Sequence, residues 1–327
     1  MSFSVLRSVR RAVVGSIVGV GVGLAGAAQA AWPERTVTLV VPFTAGGITD
    51  VLSRALAQLL QDRLKQPFIV ENMPGGAGVV AADHVLRAQP DGYTLLFTPV
   101  FQITLAPFTH TVKFDPVKDF KPIGAVAQSP FAIAVGADVP VNTLAEFIAY
   151  VKAKPGQIPF ASAGTGSLSH VSSAVFLKSA GLDMIHVPYK GLGEAFAGVL
   201  GGQTAMVSAS PVELKPYLNS GKIKILAVTS AAPSKQLPGV PTISATIKSP
   251  PVITINSLVA SAKVSDEVVD TLSREIIAAE KTPEFVDRIE KIGAEPLINT
   301  PAEFAKIIAA DTELWRNVVG DLGLKPQ

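Results

Sequence analysis

The strongest constraint on the fold is a strand-like run that feeds a glycine turn and then a helix. Thr36-Val37-Thr38-Leu39-Val40-Val41 is apolar or β-branched throughout, as a strand buried on both faces should be. Pro42-Phe43-Thr44-Ala45-Gly46-Gly47-Ile48-Thr49-Asp50 follows. Apolar residues then fall at Val51, Leu52, Ala55, Leu56, Leu59, Leu60 and Leu64, which is helical spacing. The same unit recurs later. Ile158-Pro159-Phe160-Ala161-Ser162 reads as a strand, Ala163-Gly164-Thr165-Gly166-Ser167 as a turn, and Leu168, Val171, Val175 and Phe176 as a helix running to Gly181.

The rest of the chain keeps this alternation. Strands are expected at 36–41, 67–70, 94–97, 131–135, 158–162, 184–187, 205–208, 223–228 and 257–260. Thr143-Leu144-Ala145-Glu146 and Thr300-Pro301-Ala302-Glu303 are capping boxes that open helices, the second with proline at its first helical position. Ser265-Asp266-Glu267 opens another helix, carrying Val268, Val269, Leu272, Ile276 and Ile277. The expected class is α/β with mostly parallel sheets flanked by helices.

Residues 1–30 stand apart. Arg7, Arg10 and Arg11 precede an uncharged stretch, and Ala28-Gln29-Ala30 ends it in an A-x-A pattern. That is the form of a secretory signal peptide cleaved after Ala30, and the apolar stretch is too short for a spanning helix. Gly21-Val22-Gly23-Leu24-Ala25-Gly26 spells G-x-G-x-x-G inside this leader, where no strand precedes it, so it is composition and not a phosphate loop. The chain has no cysteine, which excludes disulfides and lipid-anchored thiols. Removing the three leader arginines from 28 basic residues leaves 25 against 26 acidic, a net of −1. Nucleic acid is not an expected partner. The 297 residues left of 327 are long for a single core, so two domains are expected.

Both glycine turns sit where open α/β sheets bind ligands, at the carboxyl ends of strands. Helix N-termini there offer unpaired N–H donors and a partial positive charge, which suit an anion. One exposed terminus contributes roughly 0.3 to 1 kcal/mol. Micromolar binding needs about 8 kcal/mol, so two loops facing one carboxylate are required to approach it. Enzymatic signals are sparse. His84, His110, His170 and His186 lack metal-ligand spacing, and no serine sits in G-x-S-x-G. His170, just behind the second loop, packs or caps there, or faces a ligand. Asp50 and Arg54 read as an i,i+4 pair. Lys190 is solvated or lends charge to a cleft. Gly164-Thr165-Gly166-Ser167-Leu168-Ser169 comes near the dinucleotide fingerprint but has serine for its last glycine. The alternative reading is therefore an exported α/β enzyme using a nucleotide or dinucleotide at the glycine-rich loops.

Taken in order, several segments carry a family resemblance: VVPFTAGGITD (40–50), VENMPGGAGVVAAD (70–83), PDGYTLLF (90–97), KDFKPIG (118–124), KAKPGQIPFASAGTGSLSH (152–170), HVPYKG (186–191), GGQ (201–203) and LPGVPT (237–242). The ordered set resembles the Bug receptors, the periplasmic solute-binding proteins of tripartite tricarboxylate transporters. The resemblance implies a two-lobed periplasmic binding protein of type II-like form, with the ligand in the interlobe cleft. Residues 31–130 plus 252–327 would form one lobe and 131–251 the other, with hinges near Phe131 and Ser257. It implies a small carboxylate ligand, membrane transporter subunits as partners for uptake (or a sensing role), no enzymatic activity, no cofactor and no metal. A monomer would suit delivery.

Carried over by position, the ligand-binding residues are Thr44, Ala45, Gly46, Gly47, Thr49 and Asp50 in the first loop. The second loop supplies Ala163, Gly164, Thr165, Gly166, Ser167 and His170, and Thr98 is expected to line the cleft. Family members often carry an aspartate after GGQ at the position of Ala209. With no charge there, the expected ligand is a di-, tri- or aromatic carboxylate without an amino group. Phe43, Phe101 and Ser208 are expected to set the pocket's volume.

Overall fold

The computed structural model describes residues 32–321 other than Asn219, together with Gly323 and Pro326. The expected leader and its cleavage site lie outside the described residues. Eleven strands form two sheets among the described residues. The six-stranded sheet holds β1 (Val37–Val41), β2 (Phe68–Asn72), β3 (Thr94–Pro99), β4 (Phe120–Pro130), β10 (Ile253–Ser261) and β11 (Glu295–Pro296), in the order β11-β4-β10-β3-β1-β2. The five-stranded sheet holds β5 (Ala132–Gly136), β6 (Pro159–Ser162), β7 (Ile185–Pro188), β8 (Met206–Ala209) and β9 (Ile223–Val228), in the order β7-β6-β8-β5-β9. The chain passes from the first sheet to the second between Pro130 and Ala132. It returns between Val228 and Ile253.

The α/β class holds, but the sheets are mixed and not mostly parallel. β1 runs parallel to β2 and β3, while β10 runs antiparallel to β3 and β4, and β11 antiparallel to β4. In the second sheet β6 is parallel to β7 and β8, and β5 antiparallel to β8 and β9. The reason lies in the connections. Parallel neighbours need a crossover helix, whereas β10 arrives from the other sheet and enters against the sense of β3 and β4. β4 is the one long strand without a sequence signal, because Pro122, Gly124 and Pro130 interrupt its pattern.

Helices cover the sheets where their apolar stripes require. α1 (Ile48–Leu64) and α9 (Asp266–Glu280) bury Leu52, Leu56, Leu60, Leu272 and Ile276 with Leu39 and Phe97. Phe147 of α5 (Leu144–Lys152) and Phe176 of α6 (Leu168–Ala180) stack over the second sheet at 6.4 Å. α5 opens on the full Thr143–Glu146 capping box and α6 ends at Gly181 in left-handed conformation, both as the sequence indicates. The last helix, α11 (Pro301–Asp321), brings Trp315, Val318 and Val319 against Leu105 and Phe131, and against Val171 and Val175 of α6. It thus packs on elements attached to both sheets.

Candidate functional site

The first glycine turn leaves β1 at Val41 and enters α1 at Ile48. Gly46 adopts φ 94°, open to glycine at no steric cost, whereas Gly47 is extended at φ −76°. Below the turn lies Asp50, buried on the first turn of α1. Its Oδ2 accepts from the Gly46 N–H at 2.9 Å and from Arg54 Nε at 3.1 Å, and its Oδ1 accepts from Asn72 Nδ2 at 2.9 Å. Asn72 Nδ2 also donates to the Phe43 carbonyl at 2.9 Å. Burial pushes the Asp50 carboxyl up, but the bonds from Arg54, Gly46 and Asn72 together hold it below its ordinary value. With the turn pinned in this way, the N–H groups of Gly47, Ile48 and Thr49 have no protein acceptor among the described residues.

The second turn leaves β6 at Ser162 and enters α6 at Leu168. Gly164 (φ 121°) and Gly166 (φ 76°) both need the left-handed region. Hydroxyls and a histidine take up most of the donors here. Ala163 N donates to Ser169 Oγ at 2.8 Å, Gly164 N to Ser162 Oγ at 3.1 Å, and Gly166 N to His170 Nδ1 at 3.1 Å. Ser167 caps α6 by accepting from the His170 N–H at 3.3 Å. Behind the turn the His170 and His186 rings stack with centroids 3.8 Å apart, and Phe160 continues the stack at 5.0 Å from His186. Burial, then the His186 neighbour, pushes His170 down to about 4. His170 is therefore neutral at ordinary pH, as its Nδ1 must be to accept from Gly166, and burial pushes His186 down as well.

The two turns meet across a cavity of about 570 Å3. Phe43, Phe101, Leu105, Phe131, Leu168 and Leu192 give it apolar walls. Polar side chains also line it, among them Thr44, Gln102, Thr109, His110 and Thr254. Asn256 and Ser129 line it from β10 and β4 and are almost wholly buried. Asn256 Oδ1 accepts from Thr49 Oγ1 at 2.9 Å, but Asn256 Nδ2 and Ser129 Oγ have no partner. Asn256 stands at an irregularity in the β10–β4 register, where a bulge can re-aim a side chain. Glu213, from α8 (Pro211–Leu218), also lines the cavity, and among the described residues no lysine or arginine does. No group of three metal-ligating side chains occurs among the described residues.

An apolar cavity between two sheets, with buried unpartnered donors and facing helix termini, is a small-molecule binding site. A family model described as the tripartite tricarboxylate transporter family receptor, TctC, matches residues 52–324. The chain belongs to this TctC family. BugT of Bordetella pertussis is 30% identical over 95% of this chain and 97% of its own. Among solved structures, Rpa4515 of R. palustris with adipate is 30% identical, with TM-score 0.76 over 90% of this chain and 100% of that one. MatC (Rpa3494) of Rhodopseudomonas palustris with bound malate is 28% identical, with TM-score 0.72 over 88% of this chain and 100% of that one. The family named from the order of the motifs is the family found. The TctC receptors are periplasmic solute-binding proteins and not enzymes, which excludes the nucleotide-enzyme alternative.

Within this TctC receptor, the residues picked from sequence separate into two groups. Thr44, Gly47, Thr49, Ala163, Gly166 and Ser167 line the cavity. Ala45, Gly46, Gly164 and Thr165 belong to the turns but not to the cavity wall. Asp50, Thr98, His170 and Ala209, expected from the sequence to face a ligand, are buried and stand outside the cavity wall. Asp50 and His170 instead brace the turns from behind. Thr98 and Ala209 each stand next to a residue, Pro99 and Ser210, that does line the cavity. Of the residues expected to set volume, Phe43 and Phe101 are in the wall, while Ser208 is buried against Ser172 Oγ at 2.9 Å. Lys190 is exposed and outside the wall.

Sequence reasoning passed over Ser129, Asn256 and Glu213. Ser129 lies in the strand without a signal. Asn256 is the polar interruption of Ile253-Thr254-Ile255-Asn256-Ser257-Leu258, which the expected strand at 257–260 cut off. Ser210-Pro211-Val212-Glu213 is itself a capping-box pattern with proline at the first helical position.

Proposed function

We propose that this receptor binds a small carboxylate in the cavity, between Thr44, Gly47 and Thr49 on one side and Ala163, Gly166 and Ser167 on the other. The observation that carries the reading is the pair of unpartnered buried donors, Asn256 Nδ2 and Ser129 Oγ, beside the free N–H groups of α1. A buried donor without a partner costs about 1 to 3 kcal/mol, and a carboxylate oxygen would relieve it. Adipate and malate in the two structural relatives support the same class. The apolar walls favour a ligand with an aromatic or aliphatic body. The expectation of a ligand without an amino group rested on Ala209, which has no face on the cavity, so the missing charge there does not decide it.

In this reading residues 31–130 plus 252–327 and residues 131–251 are two lobes that close about the strands near Phe131 and Ser257. Closure exchanges water on the carboxylate for protein donors. The chain is exported with its leader removed after Ala30. As a monomer it delivers its ligand to the membrane subunits of a tripartite tricarboxylate transporter. Native mass spectrometry of residues 31–327, purified without denaturation and again after refolding, tests this. A carboxylic acid adduct lost on refolding is expected, and a nucleotide adduct would contradict the reading.

A further inference from the structure

The cavity is electrically lopsided. On one side stand Asn256 Nδ2, the Ser129 hydroxyl and the first N–H groups of α1, with no carboxylate in the wall there. The opposite sheet contributes Glu213, at the third position of α8. Its Oε2 reaches back to accept from the Ser210 N–H at 2.8 Å and from Ser210 Oγ at 2.6 Å. A glutamate in that position caps its helix and sits well against the positive end of the helix. It also means that the α8 terminus already holds a carboxylate, the protein's own. The α1 terminus carries Asp50, but that carboxylate is spent on Gly46, Arg54 and Asn72 and is not part of the cavity wall. Among the described residues no lysine or arginine lines the cavity to neutralise Glu213, and His110 is the one other titratable side chain in the wall.

A ligand with carboxylates at both ends would bring its second anion toward Glu213 inside a largely apolar cavity, where like charges are poorly screened. A hydrogen-bond donor at that end meets an anionic acceptor already fixed in place. We propose that Glu213 sets the identity of the ligand's far end: the receptor takes a monocarboxylate ending in a hydrogen-bond donor, an ammonium above all, and turns dicarboxylates away. The inference rests on the carboxylate reading of the same cavity. It reverses the amine-free expectation and separates this chain from relatives seen with adipate and malate.

Three six-carbon acids that differ only at the far end make the test: hexanoate, 6-aminohexanoate and adipate. Each is titrated calorimetrically into wild-type protein and into Glu213→Gln, whose amide oxygen keeps the Ser210 cap. A thermal melt without ligand checks that the variant is folded. Wild type is expected to bind 6-aminohexanoate at least about tenfold tighter than adipate, with hexanoate between them. In Glu213→Gln the gap should close to within about threefold, largely because adipate gains. An unchanged ratio in the variant, or adipate equal to 6-aminohexanoate in wild type, overturns the role of Glu213 while leaving the carboxylate reading intact. Binding of none of the three removes the carboxylate reading, and this inference with it.

Discussion

The two glycine turns look alike in sequence and are built on opposite principles. The first is held from below by charge, since Asp50 gathers Gly46, Arg54 and Asn72, and the start of α1 keeps its donors free. The second is held by neutral groups. Its serines and His170 absorb the N–H groups of Ala163, Gly164 and Gly166, and a stack of three rings fills the space behind. The difference teaches that two similar turns need not contribute equally. On the proposed reading the first is the stronger anion site, while the second is a shaped wall whose donors are mostly spent.

Breaking the charged anchor should have the largest effect. Asp50→Ala strips the Gly46 and Asn72 donors of their acceptor and should cost about 3 kcal/mol. Little of this comes from the ion pair itself, because Arg54 is half exposed. Denaturant unfolding of the variant measures it.

The neutral anchor should fail with acid instead. His170 has a folded pKa of about 4 against an ordinary 6.5, so the unfolded chain takes up its proton first. Its stabilising contribution is complete above pH 6.5 and is lost as the pH falls from 6.5 toward 4. Wild type should therefore lose about 2 kcal/mol relative to His170→Gln between pH 7.5 and pH 5. The carboxyl of Asp50 lies below its ordinary 3.8 and contributes nothing to that interval. Parallel acid profiles for wild type and variant would expose a mistaken assignment.

The glycines give the smaller effects. Gly46→Ala and Gly166→Ala should each cost about 1 to 2 kcal/mol through left-handed strain alone, because a Cβ at either position meets no clash. Gly47→Ala should stay within about 0.5 kcal/mol, since its backbone is extended and the weaker cap offsets a stiffer unfolded chain. Equal costs at Gly46 and Gly47 would contradict the geometry of the first turn.

Much of the fold was legible. Strands buried on both faces, paired with helical stripes and capping boxes, identify the elements directly. β4 was not, because two prolines and a glycine hide a strand whose pairing with β10 is set by tertiary context. The same gap hid the mixed sheets and Ser129. For the site, the turns could be read, since glycine and hydroxyl residues at a strand end have few other uses. Side-chain direction could not. Thr98 and Ala209 are outside the cavity wall while their neighbours Pro99 and Ser210 are in it, a difference of one position that no local pattern marks. Glu213 was visible as a helix cap, and nothing local shows that its carboxylate also faces the cavity.

The most direct measurement is a crystal structure with 6-bromohexanoate, whose bromine can be located by anomalous scattering. The bromine should lie at the end of the cavity lined by Leu192, Ser210 and Glu213, with the carboxylate bonded to Asn256 Nδ2 and the start of α1. A bromine outside this cavity, or a carboxylate turned away from Asn256, would contradict the site.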